Sequence, residues 1–178
     1  YLMEQIHLVN IEDDDLKIAE YIIGNLDNDG YLRREIKAIV DDLAFSQGIY
    51  TTQEKVKEIL ENYVQKLDPA GVGARNLQEC LLLQIEKKVS RDKAVILAGN
   101  ILRHQFDALT NKHYGKIINK YDIEEKDLKE ALEVISKLSP KVGGNFDTQT
   151  ITINQEIIPD FVIQIKDGQV IPLLNSRN

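Results

Sequence analysis

A chain of 178 residues and 20.3 kDa, 43% hydrophobic and 29% charged, has room for one ordinary domain or two small helical ones around a real core. Its 22 basic and 29 acidic side chains leave a net charge of −7, which argues against a domain whose main task is gripping duplex DNA, because that needs clustered Lys and Arg. One cysteine, Cys80, excludes an intrachain disulfide framework, and no run approaches the roughly 18 apolar residues that cross a bilayer. The charge is unevenly spread: residues 1–79 hold 8 Lys/Arg against 16 Asp/Glu, and residues 80–141 hold 12 against 9. The start, Tyr1-Leu2-Met3-Glu4, has neither an initiating Met nor the pattern of a signal peptide, as expected of a piece of a longer protein.

Helical periodicity dominates to about residue 138. Leu16, Ala19, Ile23 and Leu26 follow Asp13, Asp14 and Asp15, which predicts a helix with acids at its positive end, one of them a cap, and a stop at Gly24-Asn25. Ile36, Val40 and Leu43 mark one face of a short helix. Thr51-Thr52-Gln53-Glu54 predicts a capping box with Thr51 as cap, ahead of the stripe Val56, Ile59, Leu60, Tyr63, Val64 and Leu67. Pro69, Gly71 and Gly73 break the chain, and helix resumes near Arg75 with Leu77, Leu81 and Ile85 as core. Ser90 is expected to cap a helix from about Arg91 to Ala108, and residues 112–121 read as a short helical turn. Asp122 and Glu125 suggest a second capping box before Leu128, Ala131, Leu132, Ile135 and Leu138. After Pro140 and a Gly143-Gly144 turn, the β-branched stretches Ile151–Ile153, Ile157–Ile165 and Val170–Leu174 alternate as strands, the last two joined by Lys166-Asp167-Gly168 as a hairpin. Lys66–Gly73 and Lys137–Gly144 echo each other as a helix end, a proline and a glycine turn.

Sites of chemistry are scarce. Asn25-Leu26-Asp27-Asn28-Asp29-Gly30 mimics a calcium loop, but position 12, which must close the coordination sphere with a bidentate carboxylate, is Ile36. It reads instead as a turn in which Asp and Asn bond their own backbone and Gly30 supplies a positive φ. Gly71-Val72-Gly73 lacks the third glycine of a dinucleotide loop and follows a helix rather than a strand, so it reads as a rigid connector. His7, His104 and His113 are not at ligand spacing, and Cys80 beside Leu81-Leu82-Leu83 reads as a buried, inert thiol. Tyr21, Tyr31, Tyr50 and Tyr63 fall at helix faces or turns and read as core edge, with an interface belt as the alternative. No nucleophile–base pair stands out. The residues describe an acidic helical interaction module, with no enzyme activity, cofactor or metal expected.

The block Leu67-Asp68-Pro69-Ala70-Gly71-Val72-Gly73-Ala74-Arg75-Asn76-Leu77-Gln78-Glu79-Cys80-Leu81-Leu82-Leu83-Gln84 resembles the signature of bacterial sigma-54 transcription factors. Tyr1–Gln5, Asp27–Leu32, Leu138–Gly144, Ile158–Val162, Asp167-Gly168 and Leu173–Asn175 resemble further blocks of that family in the same order, with Lys141-Val142 standing where Arg-Pro is expected in many members. The resemblance implies a domain that docks on the β and β′ subunits of core RNA polymerase in the bacterial cytoplasm. It implies a full-length factor that directs polymerase to promoters with elements at roughly −24 and −12, touching DNA mainly through parts outside this chain, and that an ATP-hydrolysing activator acts on the whole complex. The expected fold is mainly α: two packed helical subdomains (an orthogonal helix bundle), residues 1–89 and 90–142, with a small C-terminal β-hairpin over 143–178. The docking surface is expected mainly in residues 1–88, with Asp68, Pro69, Val72, Arg75, Asn76, Glu79, Asp29 and Tyr31 as candidates and Gly30, Gly71, Gly73, Gly143 and Gly144 as structural turns. Two rivals are a stand-alone helix-turn-helix DNA-binding regulator, supported only by Lys112, Lys116 and Lys120, and a calcium-regulated helical protein.

Overall fold

The computed structural model describes residues 1–88, 90, 92–145, 161–166 and 169–174, with Asn145 and the last two segments described by backbone alone. Residues 1–147 form one compact unit and residues 148–178 another. The first is mainly helical, with nine α-helices among its described residues. They are α1 (Leu2–His7), α2 (Asp13–Gly24), α3 (Ile36–Asp42), α4 (Gln53–Asn62), α5 (Leu77–Lys87), α6 (Lys93–His104), α7 (Phe106–Thr110), α8 (Tyr114–Tyr121) and α9 (Glu125–Ser136). In the second unit, β1 (Phe161–Lys166) and β2 (Gln169–Leu174) pair antiparallel, Phe161 opposite Leu174 and Lys166 opposite Gln169. Ile151–Ile153 and the first part of the Ile157–Ile165 stretch lie outside the described residues.

Burial of the apolar stripes builds two cores within the first unit. Ile18, Ala19, Ile22, Ile39, Leu43, Val56, Ile59, Leu60 and Val64 form one, joined by Tyr31, Leu32, Val72, Cys80 and Val142. Leu81, Ile85, Val95, Ala98, Ile101, Leu102, Ile117, Leu128 and Ala131 form the other. Helix α5 serves both, Cys80 facing the first cluster and Leu81 and Ile85 the second. Leu77, expected in the core, is 41% exposed, because it occupies the first turn of α5, where the helix has only begun to meet its neighbours. Packing is close inside α6 too, where a Cβ on Gly99 would lie 3.3 Å from Ile85 Cγ2.

The helix starts differ from the expected ones by one to three residues. Thr52, not Thr51, caps α4, its hydroxyl accepting from the Lys55 amide at 3.2 Å. Asp13, Asp14 and Asp15 occupy the first turn of α2, but the cap position is Glu12 and makes no side-chain capping bond. Asp92, not Ser90, stands at the cap of α6, which ends at His104. The second capping box is Glu124 with Asp127, whose carboxylate accepts from the Glu124 amide at 3.3 Å, while Asp122 sits in the left-handed region at the end of α8. The apolar stripe specifies which face is buried; the first residue with extended φ and ψ is decided by the incoming chain direction, which periodicity does not record.

Candidate functional site

Three loops far apart in sequence meet at one junction. The first, residues 27–32, is organised by Asp27, whose carboxylate accepts from the amides of Asp29 at 3.0 Å and Tyr31 at 2.8 Å and from Arg33 Nε at 3.1 Å. With Gly30 at φ 87°, this is a self-bonded turn, and the carboxylates of Asp27 and Asp29, which stand at calcium-ligand positions, are engaged by the chain itself. Burial pushes the Asp27 carboxyl up, but the amides of Tyr31 and Asp29 and the Arg33 side chain outweigh it, so its pKa is held below the usual 3.8. A depressed carboxylate adds stability that is present above its unfolded value and is lost as pH falls through its folded one. Asp27→Asn is therefore expected to lower stability at pH 7 and to flatten the acid limb below about pH 4, read as midpoint against pH in urea titrations.

The second loop, residues 68–76, pairs with the first. The Gly73 amide donates to the Gly30 carbonyl at 2.9 Å, and the Leu32 amide to the Ala74 carbonyl at 3.0 Å. Gly71 (φ 98°) cannot be replaced cheaply, since a Cβ there would lie 2.8 Å from Cys80 Sγ. Asn76 caps α5, accepting from the Glu79 amide at 2.9 Å. Glu79 reaches back to accept from the Arg75 amide at 2.8 Å and from Gln65 Nε2 at 2.7 Å. Gln65, a buried polar residue, also donates to the Gly73 carbonyl at 3.2 Å. Burial raises the pKa of Cys80, consistent with an inert thiol.

The third loop, residues 139–143, closes on both. The Tyr31 hydroxyl donates to the Pro140 carbonyl at 2.5 Å, and the amides of Val142 and Gly143 converge on the Asp29 carbonyl at 3.1 and 3.0 Å. Lys141 Nζ lies 3.2 Å from Asp29 Oδ1. Gln84 of α5 clamps Ser139 from both sides, donating to its carbonyl at 2.7 Å and accepting from its amide at 2.9 Å. Burial, reinforced by the neighbouring Cys80, pushes the Tyr31 phenol up to about 12, and the Arg33 guanidinium lies 4.2 Å from its ring centroid.

The candidate residues thus divide by place. Val72 and Tyr31 are buried; Asn76 and Glu79 are spent on the backbone around α5. Asp68 is exposed, ion-paired with Lys87, and its amide and carbonyl are both held by Gln5. Pro69 is half-buried and joined to Asp68 through a cis peptide bond. Arg75 projects toward Glu35 at 3.4 Å, and its Nε is buried without a hydrogen-bond partner. Gly143 is required by close packing, whereas a Cβ on Gly144 would meet open space. Gln65 and Gln84 are hubs that the sequence pattern does not single out, because a glutamine that bonds buried backbone looks the same in a string as one that faces water.

Among the described residues no group of His, Cys, Asp and Glu is arranged to hold a metal ion, and no helix is long and apolar enough to cross a membrane. Residues 1–178 match the family described as sigma-54 factor, core binding domain. The chain is 30% identical over 169 residues to an RNA polymerase sigma-54 factor of Pseudomonas aeruginosa, covering 95% of this chain and 33% of that protein. It is 34% identical over 165 residues to that of Acidithiobacillus ferridurans, covering 92% and 33%, and 30% identical over 170 residues to that of Bacillus subtilis, covering 96% and 36%. The chain belongs to the sigma-54 factor core-binding domain family, and it spans about a third of the length of the curated relatives it matches.

Proposed function

We propose that this chain is the part of a bacterial sigma-54-type initiation factor that docks on core RNA polymerase through the β and β′ subunits. The full-length factor then directs polymerase to promoters with elements at roughly −24 and −12, contacts DNA mainly through parts outside this chain, and answers to an ATP-hydrolysing activator; the sigma subunit is itself not an enzyme. The observation that carries the reading is the core-binding-domain match across residues 1–178. The junction supports it: loops pre-set by internal hydrogen bonds hold a binding face with little ordering cost. The acidic balance of residues 1–79 suits a basic partner surface and speeds encounter with it.

The docking face is assigned to residues 1–88, with Asp29, Asp68, Pro69, Arg75 and Asn76 at its rim and Val72, Tyr31 and Glu79 holding it from behind. The division into subdomains 1–89 and 90–142 with a hairpin extension 143–178 is part of this proposal; the two cores follow it in outline, with Leu81 and Ile85 crossing into the second core and Val142 into the first. Arg75 is the best single probe, because its guanidinium is partly exposed and its ion pair with an exposed Glu35 is long. Immobilised chain is expected to retain purified core polymerase, and Arg75→Ala to weaken that retention several-fold with an unchanged melting temperature. No retention by the unaltered chain overturns the docking function; undiminished retention by Arg75→Ala removes only that residue from the face. Salt-sensitive duplex binding without polymerase binding is the result that favours the helix-turn-helix reading, through the exposed Lys112, Lys116 and Lys120.

A further inference from the structure

The connection between α3 and α4 presents two aromatic side chains to solvent. Phe45 is 91% and Tyr50 is 88% exposed, ahead of Tyr1 at 62% and Tyr114 at 38%, whereas Tyr31 is 4% exposed and Tyr21, Tyr63, Phe106 and Tyr121 are at least half-covered members of the two cores. Tyr50, expected at a core edge, therefore lies well outside it. An exposed phenylalanine in a floppy loop is unremarkable, but this segment is built.

After α3 the chain continues as one π-helical turn, Leu43–Gln47, ended by Gly48 at φ 66°. The buried Leu43 directs its carbonyl back to accept both the Gly48 amide and the Ile49 amide, the latter at 3.1 Å. Ser46 Oγ donates to the Asp42 carbonyl at 2.6 Å, and the Asp42 carboxylate is bound by Arg34 Nε, also at 2.6 Å. Leu43 on one side and Ile49 on the other pack into the first core. The turn is thus pinned at both ends with Phe45 at its crest and Tyr50 one residue past its base. π-helical turns mark functional sites more often than ordinary helix does, and rigid aromatics offer large contact area for little lost freedom.

We infer that Phe45 and Tyr50 are the apolar anchors with which this chain seats on core RNA polymerase, entering an apolar socket rimmed by basic side chains. The inference rests on the docking function proposed above and names the residues that drive it. Charge selects the occupant: Asp41 and Glu54 stand on either side of the turn, both exposed and without an ion-pair partner among the described residues, on the strongly acidic part of the chain. A partner whose rim is basic gains from both. A second copy of this chain offers like charge at the same place. Two aromatic side chains bury about 300–500 Å² at most, well short of the roughly 800 Å² that each partner contributes to a stable interface, so the pair needs a larger surface to work with.

The test is the affinity of N-terminally labelled chain for purified core polymerase by fluorescence anisotropy. Phe45→Ala/Tyr50→Ala is expected to weaken binding about 30-fold, as two anchors of this type at an interface centre do. Ile96→Ala, which removes an exposed apolar side chain outside residues 1–88, is expected to stay within about threefold. Circular dichroism and melting temperature should not move in either variant, since neither core loses an atom. If the unaltered chain binds and the double variant binds within threefold of it, the inference is overturned and the docking function stands. If the unaltered chain does not bind, the docking function fails and the inference with it. If sedimentation shows that the chain self-associates through these two residues while polymerase affinity is untouched, the occupant is a second copy and the inference is overturned.

Discussion

Gly143→Ala is expected to lower the free energy of unfolding by about 3–4 kcal/mol, at the upper end of what a single added methyl group does. A Cβ at residue 143 would sit 2.1 Å from the Asn28 carbonyl oxygen and 2.6 Å from the Gly30 amide nitrogen. Both are backbone atoms, so no rotamer change relieves the overlap. The first loop must retreat, and its retreat breaks the bonds from the Val142 and Gly143 amides to the Asp29 carbonyl. Lengthened contacts then reach Gly73, whose amide is bonded to the Gly30 carbonyl. Differential scanning calorimetry should show a midpoint lowered by about 10 °C for a unit of this size. Gly144→Ala is the matched control: open space surrounds that position, and a change within about 0.5 kcal/mol is expected. Equal melting of the two variants would show that the junction does not close as described.

Glu79→Ala is expected to cost about 3 kcal/mol, because hydrogen bonds to a charged group are worth about 1.5–3 kcal/mol each when the partner is left without another. The carboxylate holds the Arg75 amide with one oxygen and Gln65 Nε2 with the other. Removing it strands an amide donor just before the start of α5 and leaves the buried Gln65 with the Gly73 carbonyl as its remaining protein partner. Glu79→Gln keeps one carbonyl acceptor and places an NH2 group where an acceptor is needed, so about half of the loss should remain. Urea titration at fixed pH separates the three proteins. A Glu79→Ala protein as stable as the parent would return Glu79 to the docking face, where the sequence alone puts it.

The structural roles of Asn76 and Glu79 show where sequence reading stops. Both are polar residues beside a glycine turn, and in a string they look like surface. The fold bonds both to the backbone, the exposed Asn76 as a cap and the half-buried Glu79 as a brace. The helices themselves were legible from the spacing of Ala19 and Ile23, of Val56, Ile59 and Leu60, of Leu81 and Ile85, and of Leu128 and Ala131, because burial of a stripe has a period that can be read. Caps at Thr52, Asp92 and Glu124 were displaced because each depends on how the preceding loop enters. The junction left its glycines and tyrosine in view as motifs, but not their pairing: nothing in residues 27–32 announces that their partners lie in residues 73–74 and, more than a hundred positions later, in residues 140–143. Tyr50 misled for the opposite reason, since an aromatic at helical spacing carries no mark of which way the π turn will swing it.

The bond between Tyr31 and Pro140 joins residues 109 positions apart. Closing so large a ring carries an entropy cost that the local contacts of the helices do not share, so the helices and their nearest neighbours form first and the junction closes late on the folding path. Interactions made after the rate-limiting step govern how fast a protein comes apart rather than how fast it assembles. The three-loop junction is, in that sense, the lock on the lifetime of the folded state: Tyr31→Phe should hasten unfolding and leave refolding almost untouched.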